Sequence, residues 1–123
     1  MVMKMNFKSL IENIKRRPGM YIGSLELSDL RLFLDGYLFF DYFNKLNDQF
    51  EENFRENFNT WVWRKLLKAN LSNELYDNLK FQNGRGYVEL IKVVESNPKK
   101  QLDIFFNYFD EFYDEYLKGT SRF

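Results

Sequence analysis

Residues 97–118 read NPKKQLDIFFNYFDEFYDEYLK, and this stretch decides the fold class. At 100° per residue, Leu102, Phe105, Phe106, Phe109, Phe112, Tyr113 and Tyr116 fall within about 120° of a helix circumference. Asn97 precedes Pro98, which suits the first helical turn because its missing N–H has no partner there anyway. A stripe of rings this wide has to be buried against other helices. The acids take a different face: with Leu102 at 0°, Asp110, Asp103 and Asp114 lie at about 80° to 120°, Glu111 near 180° and Glu115 near 220°.

Upstream, the same period recurs in shorter pieces. Tyr87, Leu90, Ile91 and Val94 predict a short amphipathic helix, with a strand as the alternative because the run contains several β-branched residues. Asn83, Gly84, Arg85 and Gly86 make a turn before it, and Ser72 with Leu75, Tyr76 and Leu79 predicts another short helix. Phe54, Phe58, Trp61, Val62 and Leu66 predict a longer helix ending in Arg64, Lys65 and Lys68, cations that suit its negative end. Beyond the polar stretch 44–53, Leu30, Phe33, Leu34, Tyr37 and Leu38 define a helix capped by Ser28 or Asp29. Phe40, Phe43 and Leu46 widen its apolar arc until a central, largely enclosed helix is expected. Phe7, Leu10, Ile11 and Ile14 define the first helix, which Pro18 stops near Arg16, and Pro18–Gly19 suit the centre of a type II turn. The expectation is one all-α domain over 1–123, a bundle of five or six helices.

Composition narrows the chemistry. The chain has 123 residues with no Cys and no His, so thiolate nucleophiles, disulfides and the usual imidazole ligands and bases are absent. No catalytic, metal or cofactor site is expected, and the protein reads as a binder rather than an enzyme. Eighteen bases balance 18 acids, which argues against a nonspecific nucleic-acid binder. The balance is local as well as global: residues 1–17 carry +4 and residues 103–123 carry −3. No apolar run approaches the roughly 18 residues of a membrane span, and the first residues lack the pattern of a signal peptide. A cytoplasmic protein is the resulting expectation; oligomeric state is left open.

Arg17-Pro18-Gly19-Met20-Tyr21-Ile22-Gly23 resembles a signature near the start of the ATPase domain of type II topoisomerase B subunits, and Asn83-Gly84-Arg85-Gly86 resembles the adenine-site motif of the same GHKL ATPases. That resemblance fails on catalytic chemistry and leaves a degenerate GHKL-like nucleotide-binding protein as an alternative reading. Leu32 and Gly36 stand where the family places its Glu base and its magnesium-holding Asn, and Gln82 stands where it places the adenine-reading acid. A second resemblance spans nearly the whole chain. It joins the RPGMYIG turn to Gly36-Tyr37, to Phe54, Phe58, Trp61 and Val62, and to the closing Phe105, Phe106, Asp110, Glu111 and Phe112. In these respects the chain is similar to small bacterial immunity proteins of polymorphic toxin systems, including contact-dependent growth inhibition. The resemblance implies a cytoplasmic inhibitor that binds one cognate toxin domain, often a nuclease.

Residues suited to such a contact are Asp103, Asp110, Glu111, Asp114 and Glu115 on the last helix, and Trp63. Asp110 with Asp114 and Glu111 with Glu115 are like-charge pairs that disfavour the helix, each by about 0.2–0.5 kcal/mol. Two readings stay open: a solvated face that keeps an aromatic-rich chain soluble, or an electronegative surface for a basic substrate cleft. Trp61 lies on the core period, so Trp63 is the tryptophan expected at the surface, as an interface anchor. Lys15, Arg16 and Arg17 would suit phosphate, as in an RNA-binding accessory protein, but cations at a helix end are ordinary. Glu51 and Glu52 read as adjacent surface acids.

Overall fold

The computed structural model describes residues 6–119. These form seven helices: α1 (Phe7–Arg16), α2 (Pro18–Ile22), α3 (Leu27–Phe43), α4 (Gln49–Leu67), α5 (Asn73–Lys80), α6 (Tyr87–Val94) and α7 (Pro98–Leu117). No strand occurs among the described residues, in keeping with the all-α expectation. The helix count exceeds the expected five or six because Pro18–Ile22 is a short helix rather than a type II turn. Such a turn needs a positive φ at Gly19, and the positive φ falls instead on Gly23, at 65°, where it closes α2. Pro18, with its φ preset near the helical value, opens α2 at its first turn.

The chain divides into two compact units between Arg55 and Glu56, inside α4. In the first unit, Asn6 caps α1 by accepting from the Ser9 amide at 2.8 Å. The predicted face of α1 is buried in full, as Phe7, Leu10, Ile11 and Ile14. The Phe7 ring lies 4.9 Å from Phe54 and 6.0 Å from Tyr37, spacings at which aromatic pairs attract beyond the area they bury.

Two expectations for α3 are corrected. Neither Ser28 nor Asp29 caps it; the helix starts earlier, at Leu27, with both residues inside the first turn. There Asp29 favours the positive helix end and accepts from Ser24 Oγ at 2.6 Å. The helix is also not enclosed. Leu27, Leu30, Leu34, Leu38 and Asp41 form its buried face, while Leu32, Phe39, Phe40, Tyr42 and Phe43 are exposed. An apolar arc running most of the way round a helix meant only that one side had to be covered.

In the second unit, Phe58 sits at the centre of a ring cluster. Trp61, Tyr87, Phe105 and Phe112 have their ring centroids at 6.0, 5.3, 5.8 and 5.3 Å from it, and the last three meet it edge to face. Ser72 caps α5 and Asn97 caps α7, their side chains accepting from the Leu75 and Lys100 amides. The stretch Tyr87–Val94 is a helix, not a strand. Its N-cap, Gly86, has no side chain, and Asn59 on α4 supplies the missing acceptor by bonding the Tyr87 amide at 2.8 Å.

Candidate functional site: the acidic face of the last helix

α7 carries the acids on a helix whose other face is locked into the second unit. Leu102, Phe105, Phe106, Phe109 and Phe112 are buried, so the rotation of the helix is fixed and the aspartates are held outward. Asp103, Asp110 and Asp114 are exposed, with the exposed Asn107 between them. At 1.5 Å per residue the row runs about 16 Å along the helix.

The two glutamates are drawn elsewhere. Glu115 Oε2 accepts from Trp61 Nε1 at 2.8 Å, and Glu111 Oε1 lies 2.9 Å from Lys65 Nζ. Lys65 also stands 5.8 Å over the Trp61 ring, so α4 and α7 are joined by one connected group of cation, indole and two carboxylates. Beside it Tyr108 packs edge to face against Trp61 at 5.6 Å. Burial, and then the Glu111 charge, push the Tyr108 phenol above its ordinary pKa.

Trp63 is half-buried, not the exposed anchor expected from its position. Its Nε1 donates to the Leu79 carbonyl at 2.8 Å, satisfying an end group of α5. Glu51 is likewise not a surface acid: it is buried, in the first turn of α4, while Glu52 is exposed. Asp48, unremarked in the sequence, caps that helix by accepting from the Glu51 amide at 2.7 Å.

Arg16 and Arg17, at the end of α1, line a cleft of about 220 Å³ with Asn13, Met20 and Tyr21; Lys15 is not among its lining residues. Arg16 bonds Asn13 within it, and Arg17 reaches the Met20 sulfur at 3.9 Å. The segment similar to the ATPase adenine motif is a tight turn: Gly84 takes φ 94°, the Arg85 amide bonds the Gln82 carbonyl at 3.1 Å, and Gln82 Nε2 bonds Asn78. Among the described residues no group of three or more carboxylates converges as a metal-ligand set. No described helix is long and apolar enough to cross a membrane.

No family model, curated protein or solved structure matches the chain. Its chemistry therefore has to be argued from its own surfaces. Besides the aspartate row of α7 there is a second one that reading by period missed, the aromatic side of α3. The signal was present in the spacing. Leu27, Leu30, Leu34 and Leu38 already make a complete core face, so Leu32, Phe39 and Phe43, on the opposite side, were surplus to it.

Proposed function

We propose that the protein is an immunity protein, a binder and not an enzyme, that neutralises a cognate bacterial toxin domain by covering its active site or substrate face. The observation that carries this reading is the row Asp103, Asp110 and Asp114, held outward by a helix whose opposite face is buried. On this exposed face Asp110 and Asp114 disfavour each other as a like-charge pair, and Asp114, in the last turn, also opposes the helix macrodipole. An exposed row of like charges that disfavours its own helix is well suited to a cationic partner. The basic cleft of a nuclease is such a partner, and the row mimics the anionic backbone that cleft binds. The similarity in motif order to small immunity proteins supports the same reading. An inhibitor of this kind acts in the cytoplasm, where the toxin meets its nucleic acid.

Co-expression with the toxin encoded beside it tests the proposal directly. Growth is expected to be restored and the purified pair to associate; a pair that fails to associate overturns it. Stopped-flow association with Asp103→Asn, Asp110→Asn and Asp114→Asn combined is expected to fall at least tenfold at low salt and to lose most of its salt dependence. An unchanged rate places the interface on another surface. Glu115 is not a suitable position for this test, because it holds Trp61.

A further inference from the structure

The exposed side of α3 carries Leu32, Gly36, Phe39 and Phe43 at spacings of four, three and four residues, one straight row along the helix. Leu32 is 66% exposed, Phe39 69% and Phe43 74%, and the two Phe rings stack on each other at 6.1 Å in the open. With Phe40 and Tyr42 on its flanks, this face presents roughly 600 Å² of apolar side chain, taking about 200 Å² for each ring-bearing residue. That is the upper end of what a monomer leaves bare, about 300–600 Å², and about three quarters of one side of a standard interface of ~800 Å².

We infer that α3 is the interface of a homodimer, in which two copies pack antiparallel about a two-fold axis passing between Tyr37 and Leu38. The row is its own complement in that register. Leu32 meets Phe43 of the second copy, and Phe39 lies over Gly36, the one position of the row without a side chain. Around Gly36 no atom lies within 4 Å of where a Cβ would sit, so the notch opens outward and is not filled from within the chain. Large against small and small against large is what a two-fold interface requires of a single patch.

Charge agrees with the same register. Asp35 and Arg55 lie on one flank of the row and line a cleft of about 230 Å³ with Leu38, Phe39 and Tyr42. Arg55 is held there by stacking 4.3 Å over Tyr42. The two-fold axis puts this flank beside its own copy, with Asp35 of one chain at nearly the height of Tyr42, and hence of Arg55, of the other. Acid meets base twice. The cleft is below the roughly 300–1,000 Å³ of small-molecule pockets, which suits a side chain of a second copy better than a free ligand. The inference does not depend on the proposed function, because the dimer is assayed without a toxin.

Sedimentation of the full chain at about 100 μM is expected to give twice the 15.1 kDa of one copy. Phe39→Asp is expected to give a monomer with an unchanged far-ultraviolet dichroism spectrum. Asp35→Arg and Arg55→Asp are each expected to weaken the dimer at least tenfold, and an equal mixture of the two to form a heterodimer near wild-type affinity. Only pairing between chains produces that rescue, since neither chain regains an internal pair. A monomeric wild type, a Phe39→Asp protein that stays dimeric, or a mixture no tighter than its components each overturns the inference. In the first case the face belongs to a different protein.

Discussion

Glu115 Oε2 accepts a 2.8 Å hydrogen bond from Trp61 Nε1 across 54 residues of sequence. The bond gives an acid near the unfavourable end of α7 a structural task, and it satisfies the only polar atom of an indole that is otherwise buried. Glu115→Ala leaves that N–H without its acceptor and is expected to cost about 1–3 kcal/mol. Glu115→Gln keeps an acceptor and is expected to recover most of the loss. Urea unfolding followed by tryptophan fluorescence checks both, and equal stability of Ala and Gln variants would show the bond to be unimportant.

Trp63 separates packing from recognition. Because its N–H closes the end of α5 at Leu79, Trp63→Phe is expected to lower stability by about 1 kcal/mol. The same substitution should leave association with the proposed toxin partner within twofold. A large loss of affinity with unchanged stability would return Trp63 to the role of an interface anchor.

Asp114 is expected to behave in the opposite way. It is exposed, in the last turn of α7, with Asp110 four residues before it. Asp114→Asn relieves both the like-charge pair and the macrodipole, and thermal unfolding should show a gain of a few tenths of a kcal/mol. Association with the proposed toxin partner should slow at the same time. A residue that improves stability when removed and impairs binding when removed is kept for binding.

Tyr108 predicts an alkaline limit. Its folded-state pKa is raised, by burial first and by Glu111 second, so above about pH 10 the unfolded chain releases this proton before the folded one does. The stabilisation is therefore complete below the ordinary phenol value and is lost as pH rises through the folded one. Tyr108→Phe keeps the ring against Trp61 and is expected to flatten the decline in stability between about pH 9 and pH 11 relative to wild type. Parallel declines in the two proteins would exclude it.

Local physics carried much of the architecture. Phe7, Leu10, Ile11 and Ile14 are the buried face of α1, the stripe of α7 is buried at Leu102, Phe105, Phe106, Phe109 and Phe112 but only half-buried at Tyr113 and Tyr116, and Ser72 and Asn97 are caps because their side chains reach amides only three residues on. Such features depend on period and short range, so the amino-acid order is sufficient to place them. The candidate site was legible to the same extent: the outward position of Asp103, Asp110 and Asp114 follows from the rotation that the aromatic stripe imposes on one helix.

What only the tertiary structure decided lies between segments distant in sequence. Glu111 and Glu115 looked equivalent to the aspartates, and only the approach of α4 gave them to Lys65 and Trp61. Trp63 was expected at the surface until Leu79 offered it a carbonyl, and Tyr87–Val94 read as helix or strand until Asn59 capped it. The open face of α3 was decided in the same way. Periodicity states how much of a helix is apolar, but which side is covered depends on where neighbours run out, and a helix with two apolar sides and one covering layer leaves the other exposed.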